Sequence, residues 1–287
     1  MYQQENTNTS QVWTEIIEPK GKWYDLKLKE VWHYRDLIQI FIRRDVVSVY
    51  KQTILGPVWF FLGPLITVYI YTFVFGTVGR LSTDGVPAPL FYLAGTTMWN
   101  YFSNCLSGAS TTFTSNAHLF GKVYFPRLVA PISLVLSNLV KLGVQFLVFI
   151  VFWVYYWTQG AIHPNFFILT LPLLVVLMAL LSLGLGIIIS SLSTKYRDLN
   201  FFLPFIIMVL MYATPVIYPS SALPGKYKLI ANINPIAHII EAFRYSFTGS
   251  GNFSWLGLAY STGFTLLTML GGVFLFNKTE RTFMDTV

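Results

Sequence analysis

The 287 residues carry 54% apolar and only 11% charged side chains, with a net charge of +7, against roughly 25% charged residues in an average soluble domain. No Lys, Arg, Asp or Glu occurs from Val86 to Gly121, Leu142 to Thr194, Leu199 to Gly225 or Tyr245 to Asn277. Runs of that length exclude a solvated globular domain and point to an all-α, multi-pass membrane protein, because a charge at the centre of a spanning helix costs several kcal/mol. The basic excess lies between these runs rather than in one patch, so no nucleic-acid partner is expected. Cys105 is the single cysteine, which excludes an intrachain disulfide and a cysteine-rich metal site.

In chain order, residues 1–55 form a charged, cytosolic N-terminal segment. The first apolar run begins near Gly56, too late for the apolar region of a cleavable signal peptide. Within the segment, Glu30–Arg44 has helical spacing. Val31, Ile38, Phe41 and Ile42 share one face, and Arg35, Gln39 and Arg43 another. A basic amphipathic helix just before a span is expected to lie in the inner membrane interface.

A spanning helix needs about 20 apolar residues. Residues 56–277 are expected to hold six, over Pro57–Val78, Pro89–Phe113, Ile132–Trp157, Phe166–Leu192, Phe201–Tyr218 and Trp255–Phe276. Pro64 and Pro172 are expected to kink the spans they occupy. Residues 278–287 form a short cytosolic tail. With the N-terminus inside, fourteen Lys and Arg residues fall on the inner side and four (Arg80, Lys226, Lys228, Arg244) on the outer. That asymmetry places both termini in the cytosol.

Ile236–Phe247, in the outer stretch before the last span, is too apolar for an ordinary loop. It is expected to dip into the membrane as short re-entrant helices, with Glu241 and Arg244 at i and i+3 able to pair.

Lys141 is the one charge inside a predicted span, and either snorkels or faces a polar interior. Ser182, Gly186 and Ser190 make a small-residue face suited to close helix packing. The second span, which carries Asn104, is polar enough to pack closely or to line a hydrophilic conduit. Most of the abundant aromatics near span ends fit an interfacial belt. Tyr69 and Tyr71, in a charge-free span, are also placed to stack on sugar rings.

Catalytic chemistry is sparse. No Asp or Glu lies within a predicted span, and His33, His118, His163 and His238 are scattered, so neither a proton relay nor a metal site is expected. No G-x-x-x-x-G-K-[ST] motif occurs, so any ATP that drives this chain is bound by another.

Arg43-Arg44-Asp45, followed by Tyr50-Lys51-Gln52-Thr53-Ile54-Leu55-Gly56-Pro57-Val58-Trp59, resembles the lead into span one of the ABC exporter permeases of O-antigen, capsule and teichoic acid polysaccharides. Pro64-Leu65 and Phe73-Val74-Phe75-Gly76 continue the pattern. Phe125-Pro126-Arg127, Tyr196-Arg197-Asp198-Leu199, and Asn234-Pro235 with Glu241 and Phe243-Arg244 resemble the later blocks, in the family's order over roughly residues 40–277. The sequence departs from the pattern at Val49, where a basic residue is expected, and at Lys141, where an apolar one is.

The resemblance implies a homodimer in the bacterial inner membrane, docked on two copies of a cytosolic ABC ATPase that bind ATP and Mg. This chain would be a transport permease, neither an enzyme nor a cofactor binder. The substrate implied is a glycan on a polyprenyl diphosphate lipid. Arg43, Arg44 and Lys51 are then expected to contact the diphosphate. Trp59, Tyr69, Tyr71, Tyr212 and Tyr218 are expected to line the glycan path between spans one and five. Lys122, Arg127, Tyr196, Arg197 and Asp198 are expected to couple to the ATPase, and Glu241 and Arg244 to gate the outer side. The rival readings are a small-molecule permease of related fold, a membrane enzyme acting on polyprenyl lipids, and an ATPase-independent flippase.

Overall fold

The computed structural model describes residues 28–51 and 58–283. Residues 1–27, residues 52–57 of the first resemblance block and the end of the tail lie outside the described residues. The amphipathic segment forms α1 (Leu28–His33) and α2 (Arg35–Lys51), jointed at Tyr34. Its apolar face is the buried one. Val31 and Phe41 are covered, while Arg35, Gln39 and Arg43 are exposed.

The first span is α3 (Val58–Tyr71), with Pro64 inside it, continuing as a π-helix over Thr72–Val78. A turn leads to α4 (Ala88–Ser110), with Pro89 in its first turn, where a missing N–H costs nothing. In that turn Asp84 takes a left-handed conformation (φ 53°) and its carboxylate accepts from the Ser221 hydroxyl at 2.7 and 2.8 Å. Two single-turn helices, α5 (Thr112–Ser115) and α6 (Ala117–Phe120), precede α7 (Val129–Thr158). A 3₁₀ turn at Phe166–Thr170 starts the next span, α8 (Leu171–Ser193). Then come α9 (Leu199–Ala213), α10 (Gly225–Ile233), α11 (Pro235–Thr248) and α12 (Trp255–Phe283).

Four described stretches, Phe61–Val78, Val129–Thr158, Phe166–Ser193 and Trp255–Glu280, are long and apolar enough to cross a membrane. The second predicted span, α4, is about 35 Å long at the helical rise but more polar. Its position explains this: α4 is the central helix, buried along most of its length between α7 and α8, and so need not be compatible with lipid. The fifth span was expected to reach Tyr218 but ends at Ala213. Pro215 disfavours helical backbone at the residue before it, and Thr214 is extended. At about 22 Å, α9 is shorter than the roughly 30 Å hydrocarbon layer.

Glycines set the packing of α8. A Cβ on Gly186 would lie 2.5 Å from the Ala109 Cβ of α4, and one on Gly184 would lie 2.9 Å from the Met269 nitrogen of α12. Gly272 faces the Gly184 carbonyl just as closely. Ser182 and Ser190 on the same face are fully buried. The small-residue face of α8 is therefore a packing surface.

The helices expected between the fifth and last spans form as α10 and α11. Asn234 caps α11, its side chain accepting from the Ile236 N–H at 3.0 Å, and Pro235 occupies the first helical position. The Asn234 amide also donates to the Thr214 hydroxyl at 2.7 Å, fixing the end of α9 to the start of α11. The other flank of α11 packs Phe243 and Phe247 against Phe149 of α7, with ring centroids 5.3 and 5.1 Å apart. The Trp153 indole donates to the Phe247 carbonyl at 2.8 Å.

The chain enters and leaves the bundle at one end. Phe41 of α2 packs edge-on against Phe125, 5.9 Å between centroids, and the Arg127 guanidinium donates to the Glu280 carbonyl of α12 at 2.8 Å. Arg35, Arg43, Arg44, Lys51, Lys122, Lys195, Arg197 and Lys278 also belong to this α2 end.

Candidate functional site

Four places on the bundle hold the residues singled out by the sequence. The first is the outward surface of α3 and α9, both of which pack on α4. Trp59 and Tyr69 on α3 and Phe73 in its π-helical continuation are exposed, as are Phe201, Phe205, Met208 and Tyr212 on α9. Among the described residues Leu203 is the one buried side chain of α9. Tyr69 and Tyr71 face different ways. Two helical positions separate their directions by about 200°, and Tyr69 is 74% exposed. Tyr71 turns inward, edge-on to Tyr92 of α4 at 6.1 Å and to Phe75 at 5.5 Å. Tyr218 is half-buried, its hydroxyl donating to the Tyr212 carbonyl at 2.6 Å.

The second place is the α2 end. Lys122, Val123, Tyr124, Tyr196, Arg197 and Asp198 are exposed and form a surface of mixed charge and apolar character. Arg127 differs from the other four expected coupling residues. It is buried, bonded to the Glu280 carbonyl, 4.0 Å from the Glu280 carboxylate and 5.5 Å over the Phe120 ring. Burial pulls its pKa below the usual arginine value, and Glu280 opposes that. Val123 and Tyr124 were not anticipated. Nothing in their sequence context separates two exposed apolar loop residues from buried ones.

The third place is the opposite end, around Arg244. The residue is 3% exposed, and its guanidinium stacks 3.7 Å above the Phe91 ring of α4 and donates to the Pro215 and Val216 carbonyls at 3.1 and 3.2 Å. Gly95 makes this approach possible, since a Cβ there would fall 2.6 Å from the Val216 oxygen and 2.9 Å from the guanidinium. Burial lowers the Arg244 pKa to about 10, against the pull of Glu241, Asp84 and Tyr92, so it stays cationic at neutral pH. Glu241 is raised by burial, with the Ser220 hydrogen bond and the charges of Arg244 and His238 opposing. Glu241 and Arg244 thus feel each other, but no ion pair within 4.0 Å joins them among the described residues. Arg244 is committed instead to backbone carbonyls and an aromatic face.

The fourth place is a polar cavity of about 630 Å³ bounded by α2, α4 and α7, with the short helices α5 and α6 at its edge. Arg44, Asp45 and Ser48 of α2 border it, Asn104 and Ser107 line it from α4, and Asn138 and Lys141 from α7. Arg44 is held against its neighbour, 2.9 Å from the Asp45 carboxylate, and lies 4.7 Å over the Phe41 ring. Arg43 and Lys51 are exposed on the same helix. No group of three or more His, Cys, Asp and Glu residues suited to a metal occurs among the described residues.

Comparison with known proteins accounts for most of the chain. The model of the family described as ABC-2 type transporter matches residues 36–248, from α2 through α11. The O-antigen export system permease protein RfbA of Klebsiella pneumoniae is 31% identical over 252 residues, 87% of this chain and 94% of that protein. The polysialic acid transport protein KpsM of Escherichia coli is 23% identical over 250 residues, covering 87% and 95%. The capsule polysaccharide export inner-membrane protein CtrC of Neisseria meningitidis is 23% identical over 254 residues, covering 86% and 92%.

Proposed function

We propose, from the premise that this chain belongs to the ABC-2 type transporter family, that it is the membrane-spanning permease of an ATP-driven exporter of lipid-linked polysaccharide. The observation that carries this reading is the exposed aromatic surface of α3 and α9, in a chain similar along 87% of its length to an O-antigen export permease. Aromatic faces present a flat, apolar surface to the C–H faces of sugar rings while remaining compatible with a membrane environment. A polymer whose repeats differ needs such tolerant contacts.

In this reading the α2 end faces the cytosol, as its concentration of Lys and Arg favours, and both termini are cytosolic. Residues 1–55 form the cytosolic segment, 56–277 the membrane domain and 278–287 the tail. Two copies face each other across the α3 and α9 surfaces and enclose the glycan path, with Trp59, Tyr69, Tyr212 and Tyr218 along it and Tyr71 supporting Tyr69 from behind. Arg43, Arg44 and Lys51 meet the polyprenyl diphosphate at the inner interface, where guanidinium groups suit phosphate oxygens. Two ATPase subunits carrying ATP and Mg dock on Lys122, Tyr196, Arg197 and Asp198. Their closure moves the α2 end, and Arg127 passes that movement to α12. At the outer end α10 and α11 cap the path, with Glu241 and Arg244 at the hinge of the cap. No covalent step occurs on this chain.

The test is a deletion strain lacking any redundant exporter. Surface polysaccharide is compared with polyprenyl-diphosphate-linked glycan retained in the inner membrane. Loss at the surface with accumulation inside is expected. Normal surface glycan would remove this substrate and favour a small-molecule permease.

A further inference from the structure

The cavity between α2, α4 and α7 has no role in a path along α3 and α9, yet it holds the one charge of the predicted spans. Lys141 lies twelve residues into α7, about 18 Å from its start at the helical rise. Helical side chains lean toward the helix N-terminus, which for α7 is the α2 end, so the ammonium group is directed back along the cavity. Among the described residues no carboxylate lies within ion-pair distance of Lys141. The other titratable groups bordering the cavity are Arg44, Asp45 and His118. Asp45 is already engaged by Arg44 at 2.9 Å, so the positive charge of Lys141 is uncompensated.

A second observation is independent of that charge. Asn138, one turn before Lys141, borders the same space but is only 4% exposed, and its Oδ1 is sealed off from the cavity. Opposite it, Asn104 and Ser107 are exposed to this space although they lie in the central helix. The cavity therefore offers a cation and several hydroxyl and amide groups, at a size within the usual range for small-ligand sites of about 300–1,000 Å³.

We propose that this cavity binds the phosphate-bearing, hydroxylated headgroup of an inner-leaflet lipid, with Lys141 on the phosphate and the Asn104 and Ser107 side chains hydrogen-bonding the headgroup hydroxyls. The placement at the inner leaflet rests on the orientation given under the proposed function. Two lipids share this chemistry: the polyprenyl-diphosphate-linked sugar and a glycerophospholipid such as phosphatidylglycerol. The first would make the cavity a loading site away from the lateral surface of α3 and α9. The second would make it a seat for a resident lipid that braces α2 against α4 and α7.

The full chain, purified with its ATPase partner in detergent, is titrated separately with a short-chain polyprenyl diphosphate N-acetylglucosamine and with phosphatidylglycerol. Binding is read from ligand-induced thermal stabilisation and native mass spectrometry. Lys141→Met is expected to weaken at least one lipid tenfold or more, and Lys141→Arg to stay within about threefold of the parent. Ser107→Leu, which fills the cavity from α4, should reproduce the loss by a different route while leaving the thermal midpoint without lipid unchanged. Loss confined to the polyprenyl lipid identifies a loading site, and loss confined to phosphatidylglycerol a structural one. Binding of both lipids within twofold of the parent in Lys141→Met and Ser107→Leu overturns the proposal. The phosphatidylglycerol result does not depend on the substrate, so it stands or falls separately from the deletion-strain outcome.

Discussion

The guanidinium of Arg244 sits 3.7 Å above the ring of Phe91, joining α11 to the central helix α4. Its Nη2 also donates to two backbone carbonyls, at Pro215 and Val216, while its buried Nε has no hydrogen-bond partner. A desolvated cation–π contact is worth about 2 kcal/mol, and a buried carbonyl left without its donor costs about 1–3 kcal/mol. Arg244→Ala is therefore expected to lower stability by about 3 kcal/mol or more, read as a lower thermal midpoint of the detergent-purified protein. Phe91→Leu keeps the carbonyl bonds and should cost roughly half as much. Equal effects of the two substitutions would mean that the carbonyl bonds contribute little.

Much of this architecture is legible in the sequence, and the reasons are physical. The charge-free runs locate the spans because lipid excludes charge whatever the tertiary packing. The apolar stretch around Ile240 signals a buried helix even though it carries Glu241 and Arg244, because its apolar residues pack against α4, α8 and α12. The early end of α9 is less visible, since it depends on Pro215 acting on Thr214 inside an otherwise uninterrupted apolar run. The roles of individual charged residues are the least visible. Arg127 looks like any basic loop residue until Glu280, 153 positions later, is brought beside it. Likewise Glu241 and Arg244 have helical spacing for a pair, but the carbonyls that Arg244 chooses come from another segment.

Helix contact explains why two glycines in neighbouring spans should respond oppositely to added bulk. Gly186 of α8 faces Ala109 so closely that a Cβ would overlap it at 2.5 Å, whereas a Cβ on Gly143 of α7 would meet nothing within 4 Å. Gly143→Ala should be neutral or stabilising by about 0.5–1 kcal/mol, the usual gain for alanine in a helix interior. Gly186→Val should separate α8 from α4 and cost about 2 kcal/mol or more, in the range of overpacked cores. Yield and thermal midpoint of the two purified variants test this, and a stable Gly186→Val protein would show that the α4–α8 contact can readjust.

Tyr69 and Tyr71 provide a sharper test of the glycan path than either alone. Tyr69 is 74% exposed, while Tyr71 packs against Tyr92 and Phe75. If the exposed face of α3 lines the path, Tyr69→Ala lowers export with normal protein level and assembly. One lost stacking contact of about 0.5–1.5 kcal/mol corresponds to a roughly twofold to twelvefold reduction in surface glycan delivered per unit time. Tyr71→Ala should act mainly through the amount of folded protein in the membrane. Unchanged export in Tyr69→Ala would take this residue off the path.

The α2 end separates surface from scaffold in the same manner. Lys122 and Arg197 are exposed, so reversing them, Lys122→Glu with Arg197→Glu, should weaken association with the ATPase subunit while leaving the permease's own stability within about 0.5 kcal/mol, as expected for exposed sites. The loss should be greatest at low salt, where charges on a rim are least screened. Arg127→Ala should do the reverse. Its guanidinium is buried and bonded to Glu280, so removal frees the end of α12 and leaves a carbonyl unpaired, at a cost of about 1–3 kcal/mol. Binding of the ATPase to whatever Arg127→Ala protein remains folded should be close to normal, but stimulation of ATP hydrolysis by substrate should fall if α12 is the element that carries movement across the bundle. Co-purification ratio, thermal midpoint and substrate-stimulated ATPase rate, measured on both variants, distinguish the two roles. An Arg127→Ala protein that is fully stable and fails to bind the ATPase would return this residue to the docking surface.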